Sequence, residues 1–341
     1  MPNKFYINTV GGCGLCISLA SFLTAAKKLH PDDEYNVCSP YFDIYMSCDA
    51  VSKVYQPNEI RDFIYDAKYV DGIIINQRLY DMDKFIKKQL TYQEAWAELL
   101  GYPKKEFAVT NDGMTIKSVL NPSKHYPFLA QQAEELKKQL NGKKFIITQF
   151  TGSQSPLTQV PVDQNGRADW SKVPYRNDPE PLKRKYDIGR ANEFVDLFKL
   201  NHPDVEVISY QLPNEPAPTR SIKAVMPYLA YYLLAQDKDC IGTVSIDSSL
   251  QHLVAGITKS VVIWGHSINA DNNNKIVANN FGYAYNRNIV QPCRRDDILY
   301  FSQLGPSGAK IEYITPSDLL IEVDNYLFNS STSTDTNKET K

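Results

Sequence analysis

One segment of the chain combines residue types that bind anions with the spacing to use them. It covers residues 241–256 and contains Asp247, Ser248, Ser249 and His252. A strand-like stretch ends just before Asp247, so Asp247 or Ser248 is predicted to begin a helix at the carboxyl end of a strand, where free N–H groups bind phosphate. His252 lies four residues after Ser248, on the same helical face. Taken singly, Asp247 is better explained as a helix cap and His252 as a packed core histidine.

A glycine turn near the start of the chain is the second candidate. Gly11, Gly12 and Gly14 lie between a strand-like stretch and an apolar, helix-compatible stretch. The dinucleotide pattern G-x-G-x-x-G fails because position 17 is Ile, and the sequence contains no G-x-x-x-x-G-K-[ST] motif. Nicotinamide-dependent and P-loop enzymes are therefore disfavoured. The glycines still allow a ligand to approach a helix N-terminus closely.

The cysteines favour neither a metal centre nor a disulfide framework. Cys13 and Cys16 have C-x-x-C spacing, which is found in redox pairs and in half of a zinc site. No second C-x-x-C accompanies them, so the sequence favours small buried thiols that remain reduced, with no metal. The six cysteines are at positions 13, 16, 38, 48, 240 and 293.

Composition narrows the class of protein. The 341 residues include 37 Lys and Arg and 39 Asp and Glu, for a net charge of −2. This charge supplies no overall basic field, so sequence-independent nucleic-acid coating is disfavoured. The apolar stretches are far shorter than the roughly 20 residues of a membrane helix, and the N-terminus does not resemble a signal peptide. We therefore expect a cytoplasmic protein with no transmembrane segment.

The elements that must position these residues follow an alternating strand and helix order. That order predicts parallel sheets with helices on their faces. Because the order restarts near residue 142, we expect two Rossmann-like domains, 1–141 and 142–328. The second would contain a proline-rich insertion, 154–187, and a tyrosine-rich helix at 221–235. The tail 329–341 is polar and low in complexity, which predicts disorder.

The segment 245–265 resembles a motif of glycosyltransferase family 9, the ADP-heptose:lipopolysaccharide heptosyltransferases. Residues 245–255 are similar to the family's D-S-G-x-x-H-x-A stretch, and 259–265 to the strand and glycine that follow it. Weaker similarities cover most of the chain: the opening strand, glycine turn and helix up to His30-Pro31, the Leu99-Leu100-Gly101 helix end, and Gln291-Pro292-Cys293.

The resemblance implies a GT-B fold, with two facing Rossmann-like domains. The C-terminal domain would hold a nucleoside diphosphate sugar, and an acceptor would approach from the N-terminal domain, beside Gly11, Gly12 and Gly14. Ser248, Ser249 and His252 would bind the donor diphosphate, and Asp247 would frame their turn. Gly265 would lie in the loop after the next strand, beside the donor. From their positive charge, we expect Lys185 or Arg190 to help stabilise the leaving diphosphate.

One departure from the family concerns catalysis. The Asp that acts as the family's general base corresponds to Leu15, which cannot take a proton. Asp43 is our candidate base because it follows a predicted strand and the Ser39-Pro40 turn, at the carboxyl end of a parallel sheet. A first-turn helix acid is the simpler interpretation of Asp43.

Two functions follow from this sequence. The first is a metal-independent glycosyltransferase with no bound cofactor, which moves a sugar from a nucleoside diphosphate sugar to a hydroxyl acceptor. That acceptor would be a glycan of the lipopolysaccharide type, a lipid-linked glycan or a modified base in DNA. The alternative is a non-catalytic GT-B protein, structural or ligand-binding, that has lost the family's catalytic Asp.

Overall fold

The computed structural model describes residues 2–9, 11–86, 89–107, 118–151, 186–211, 215–268, 283, 286–292 and 314–329. The first half of the chain builds a four-stranded parallel sheet in the order β3-β2-β1-β4. Its strands are β1 (Lys4–Asn8), β2 (Glu34–Cys38), β3 (Val51–Tyr55) and β4 (Ile73–Ile75).

Seven α-helices accompany this sheet within the described residues. They are α1 (Cys13–Leu29), α2 (Phe42–Met46), α3 (Ile60–Tyr69), α4 (Asp83–Ile86), α5 (Tyr92–Leu100), α6 (Pro122–His125) and α7 (Pro127–Leu140). Their limits follow local chemistry. Thr91 and Glu94 form a reciprocal capping box at the start of α5, and Gly101, with φ +75°, ends it in the left-handed conformation.

The second half builds a six-stranded parallel sheet in the order β10-β9-β8-β5-β6-β7. Its strands are β5 (Lys144–Gln149), β6 (Val205–Tyr210), β7 (Ile222–Ala224), β8 (Cys240–Ile246), β9 (Ser260–Ile268) and β10 (Arg287–Pro292). Its helices are α8 (Ile188–Asn201), α9 (Tyr228–Ala235), α10 (Ser249–Leu253) and α11 (Pro316–Val323), and a π-helical turn, Asp324–Phe328, follows α11.

The two halves share one apolar core. Leu15 and Trp96 from the first half belong to the same buried cluster as Leu250 and Trp264 from the second. Helix α1 begins at the carboxyl end of β1 and packs against α10, which begins at the carboxyl end of β8. The carboxyl ends of the two sheets therefore face each other across the junction, which is where parallel α/β sheets bind ligands.

The predicted fold class, α/β with two parallel sheets, is confirmed. The helix predicted at 221–235 is wrong in its first half, because Ile222–Ala224 pairs with β6 as a strand and α9 begins only after Pro227. A proline disfavours helical backbone in the residue before it, which explains the late start. None of the described helices is long and apolar enough to cross a membrane.

The domain limits stay a prediction. Helix α7, placed by sequence in 1–141, packs against α9 of the second half, and Lys137 Nζ lies 2.6 Å from an Asp237 carboxylate oxygen. The predicted insertion 154–187 lies outside the described residues except for Tyr186 and Asp187, and the predicted tail 329–341 does so except for Asn329.

Candidate functional site

The N-terminus of α10 is capped by a side chain from another strand. Ser248 is the N-cap residue but makes no side-chain cap of its own. Instead the Oε1 atom of Gln149, the last residue of β5, accepts hydrogen bonds from the Leu250 N–H at 3.2 Å and from the Ser248 hydroxyl. The Gln149 amide oxygen therefore accepts hydrogen bonds at this helix N-terminus, where the sequence predicted that free N–H groups would bind phosphate.

Ser248, rather than Asp247, occupies the N-cap position of this helix, which is one of the two sequence-based alternatives. Oδ1 of Asp247 accepts a hydrogen bond from Nε2 of Gln251, one turn further on, at 2.6 Å. Its backbone N–H donates to the Ile263 carbonyl at 3.0 Å. The carboxylate thus connects the turn to the helix that follows it.

His252 is part of the packing between the two halves. It is only 5% exposed, and its Nδ1 lies 3.0 Å from the Tyr283 hydroxyl oxygen. The Tyr92 ring meets it edge-on, with centroids 5.4 Å apart. On its other side lies Gly14 of α1, where an added Cβ would be 2.5 Å from the His252 Cδ2 atom. Burial therefore favours a packing role for His252 over the predicted contact with donor phosphate.

The three glycines of the turn have different surroundings. The His252 ring leaves no room for a Cβ at Gly14. A Cβ at Gly11 would lie 2.5 Å from Leu15 Cδ2, whereas a Cβ at Gly12 would have no atom within 4 Å. Leu15 itself is 4% exposed and belongs to the shared core. The turn is therefore shaped by packing at Gly11 and Gly14 and is open only at Gly12.

Asp43 lies at the carboxyl end of the first sheet, in the first turn of α2. Its Oδ1 accepts a hydrogen bond from the Ile44 N–H at 3.1 Å. Burial raises the pKa of the Asp43 carboxyl, and the neighbouring Tyr228 hydroxyl and backbone N–H groups lower it by less. The net shift is upward, so this partly buried carboxylate is a better proton acceptor than an exposed one.

The charge of this carboxylate raises the pKa of three tyrosines, Tyr41 and Tyr126 from the first half and Tyr228 from the second, and a fourth tyrosine, Tyr210, lies at the end of β6. Tyr41 precedes α2 and Tyr126 precedes α7, while Tyr210 ends β6 and Tyr228 begins α9. Burial raises the pKa of all four, and the Asp43 charge raises it further for Tyr41, Tyr126 and Tyr228. We call these tyrosines, together with Cys13, Asp43 and Ser249, the Asp43 cluster.

One hydrogen bond joins two members of this cluster at the carboxyl end of the second sheet. The Tyr210 hydroxyl oxygen is 3.3 Å from Ser249 Oγ. Cys13 begins α1 at the carboxyl end of β1, and its charge as a thiolate would raise the pKa of Tyr41, Tyr210 and Tyr228. Sequence analysis proposed Asp43 and Ser249 but missed the tyrosines, because no motif or regular spacing connects them along the chain.

The other predicted donor residues are not brought together. Arg190, in the first turn of α8, donates from Nη1 to the Ile314 carbonyl at 3.1 Å. Gly265 was expected in a loop but lies within β9, because pairing with β10 carries that strand on to Ile268. Lys185 lies outside the described residues.

The five described cysteines are free thiols, namely Cys13, Cys16, Cys38, Cys48 and Cys240. Burial raises the pKa of both Cys13 and Cys16, which disfavours the thiolate form that redox and metal chemistry use. Within the part of the chain that the structure describes, no three His, Cys, Asp or Glu side chains are grouped so as to hold a metal ion.

A comparison with protein-family models finds no match, and neither does a comparison with curated protein sequences. Solved structures do match over nearly the whole chain. A glycosyl transferase of family 9 from Veillonella parvula DSM 2008 has a TM-score of 0.63 and 12% identity, covering 96% of this chain and 98% of that one. The ADP-heptose lipopolysaccharide heptosyltransferase II of E. coli has a TM-score of 0.53 and 10% identity, covering 96% and 99%.

A third solved structure also has a similar fold. The iron-containing dodecameric glycosyltransferase TibC from enterotoxigenic E. coli H10407 has a TM-score of 0.55 and 11% identity, covering 95% of this chain and 76% of that one. A complex of TibC with ADP-D-beta-D-heptose has also been solved. With sequence identities of only 10–12%, these structural matches establish the fold but not the activity. The chain has the GT-B fold of the family 9 glycosyltransferases that its sequence resembles.

Proposed function

We propose that this protein is a glycosyltransferase that moves a sugar from a nucleoside diphosphate sugar to a hydroxyl acceptor. The observation that carries the proposal is Asp43, a carboxylate of raised pKa at the carboxyl end of the first sheet, beside Tyr228 from the carboxyl end of the second. The ADP-heptose bound by TibC, which has the same fold, supports a nucleotide sugar as donor.

In this proposal Asp43 is the general base. As the acceptor oxygen attacks the anomeric carbon, its proton passes to the Asp43 carboxylate, and the bond from that carbon to the diphosphate oxygen breaks. The nucleoside diphosphate leaves with the bonding electrons. The pKa of Asp43 is raised, and a general base is most effective when its pKa is near the working pH. The shift therefore makes this carboxylate better suited to accept the proton.

We further propose that residues 1–141 carry the acceptor side and residues 142–328 the donor side. Ser249 is the best-placed donor contact, because it is partly exposed and is the first residue of α10, at the carboxyl end of the second sheet. Arg190 lies in the first turn of α8, the helix that follows β5 at the same end of that sheet, and we propose that Arg190 and Lys185 stabilise the leaving diphosphate through their positive charge. Stabilisation of the leaving group would come from these side chains without a metal.

The proposal is tested by ligand binding followed by turnover. A panel of nucleoside diphosphates and their sugars is screened for thermal stabilisation, because a ligand that binds only the native state raises the melting temperature. The nucleosides without phosphate serve as controls. Donor consumption is then measured with each stabilising nucleotide sugar. If no nucleotide stabilises the protein and no donor is consumed, with or without acceptor, the proposed function is wrong.

A further inference from the structure

Helix α3 covers one face of the first sheet with a narrow buried stripe. It packs against β1 and β4, and Phe63 and Ala67 are its buried residues. These two side chains belong to a small apolar cluster with Tyr6, Cys38 and Tyr55, which is separate from the core that the two halves share. The other residues of the helix are partly or fully exposed.

The side of α3 that faces away from the sheet carries two exposed aromatic rings. At about 100° per residue, Tyr65 lies roughly 160° around the helix axis from each of the two buried residues. Tyr65 is 70% exposed and Tyr69 is 82% exposed. We define the outer face of α3 as the exposed residues Arg61, Asp62, Tyr65, Lys68 and Tyr69. Exposed apolar surface bordered by polar groups is typical of protein contact sites.

The charged groups of the outer face are unpaired among the described residues. Arg61, Asp62 and Lys68 make no ion pair or side-chain hydrogen bond within that part of the chain. Asp66, on the flank of the same helix, differs from them, because Lys53 Nζ lies 2.6 Å from its carboxylate. The three unpaired charges are therefore available to groups outside this chain.

The outer face has two edges of different chemistry. Arg61 and Lys68 lie about 40° and 60° around the helix on one side of Tyr65, and both are cationic. Asp62 and Tyr69 lie about 60° and 40° around on the other side, as a carboxylate and an aromatic ring. Each cation thus has a group that attracts it at nearly the same height on the opposite edge, Asp62 for Arg61 and Tyr69 for Lys68.

We infer that the outer face of α3 binds the same face of a second copy of this chain, with the two α3 helices side by side and parallel about a two-fold axis. That axis exchanges the two edges, so Arg61 of one copy meets Asp62 of the other. Lys68 likewise meets the Tyr69 ring, and the two Tyr65 rings meet on the axis. The ion pair and the cation–π contact each occur twice. The net charge of −2 opposes the association of two copies only weakly.

The same charges disfavour the opposite orientation. An antiparallel pair of α3 helices would bring Arg61 of one copy to Lys68 of the other, and like charges in contact repel. In the parallel pair the pattern is self-complementary, so a second copy supplies a partner for each unpaired charge of the outer face.

Sedimentation velocity of the full chain measures the association at concentrations from about 1 to 100 μM. We expect a monomer–dimer equilibrium with a dissociation constant inside that range, because one helix face from each copy is a small contact. Raising the salt concentration from about 0.05 to 0.5 M should weaken the dimer, since salt screens the charge pairs. A chain that stays monomeric over the whole range overturns the inference.

Charge exchange tests the pairing itself. Asp62→Arg and Arg61→Asp each place like charges across the axis, so each should weaken the dimer by about tenfold or more. The double variant Arg61→Asp, Asp62→Arg restores both pairs with their signs exchanged and should dimerise within about threefold of the parent. Glu135→Arg, at an exposed position of α7, is the control for the change in net charge. Single variants that dimerise like the parent, or a double variant as weak as either single one, overturn the inference.

Tyr65→Ala tests the aromatic contact on the axis. Its loss should weaken the dimer by about three- to tenfold. Leu200→Ala is the matched control, because Leu200 is 71% exposed on α8. Both side chains are exposed, so the fold should be kept, and melting temperatures measured on the dilute monomers check this. Equal dimerisation of Tyr65→Ala and Leu200→Ala overturns the inference.

Discussion

The carboxyl ends of the two sheets use their polar groups in different ways. At the second sheet, the groups of the family-like segment bond to one another: Gln149 caps α10, Gln251 donates to Asp247, and His252 packs against Gly14. At the first sheet, Asp43 is a partly exposed carboxylate whose pKa is raised by burial. The side chains of the family-like segment are thus engaged with one another and with α1, whereas Asp43, the base that we propose, lies outside that segment.

The largest expected effect is on transfer by the Asp43→Asn variant. Asparagine is nearly the same size but cannot accept the acceptor proton, so turnover should fall by about 10²- to 10⁴-fold, the usual range for a lost general base. Initial rates with saturating nucleotide sugar measure this, with nucleotide affinity checked in parallel. Asp49→Asn is the matched control, because Asp49 is an exposed carboxylate just after α2, paired with Lys124. Equal rates for the two variants would remove Asp43 from the mechanism.

The same variant should be more stable than the parent at neutral pH. Because the pKa of Asp43 is raised in the folded protein, the native state binds more protons than the unfolded state between the ordinary carboxyl pKa and the folded value. The free energy of unfolding therefore falls as pH rises through that window, and asparagine removes this dependence. Melting temperatures of parent and variant should converge in acid and separate toward pH 7. A variant that melts lower at every pH contradicts the raised pKa.

Several features were predictable from sequence because they depend on local chemistry. The alternation of apolar strands with helices predicts parallel sheets, and the candidate base Asp43 follows from the carboxyl-end rule for such sheets. The roles of Gln149 and of the tyrosines were not predictable. Gln149 lies about a hundred positions before the helix that it caps. Tyr126 and Tyr228 come near enough to Asp43 to be affected by its charge because α2 packs against α6 and α6 packs against α9. Such contacts leave no periodicity for a single sequence to reveal.

Enlarging Gly14 should disturb the packing between α1 and α10. In Gly14→Ala the new Cβ would lie 2.5 Å from His252 Cδ2, so α1 and α10 must separate slightly. Overpacking of this kind lowers the free energy of unfolding by about 1–3 kcal/mol. Gly12→Ala is the matched control, since nothing lies within 4 Å of its Cβ, and its loss should be smaller, about 0.5–1 kcal/mol, because alanine only replaces a preferred N-cap glycine of α1. Urea denaturation compares the two, and equal losses would show that Gly14 does not need to be small.

His252→Ala separates a packing role from a ligand role. Because His252 is buried against Tyr92 and Tyr283, its removal should lower the free energy of unfolding by about 1–3 kcal/mol. It should also make room for the methyl group at position 14, so the loss in Gly14→Ala, His252→Ala should be smaller than the sum of the single losses by about 1 kcal/mol. A stable variant with tenfold weaker nucleotide binding would instead restore the predicted phosphate contact.

The smallest expected effect concerns the cap that Gln149 provides. Gln149→Ala leaves the Leu250 N–H and the Ser248 hydroxyl without this acceptor, and a lost cap lowers the free energy of unfolding by about 0.5–2 kcal/mol. Gln149→Glu keeps an acceptor and adds a negative charge that the helix N-terminus favours, so its stability should stay closer to the parent.

If a donor diphosphate binds at this end of the second sheet, the added charge of Gln149→Glu should weaken nucleotide binding while Gln149→Ala does not. Thermal unfolding with and without nucleotide measures both effects. Weaker binding in both variants would mean that the amide itself contacts the nucleotide, and the polar groups of the second sheet would then be available to ligand rather than committed to packing.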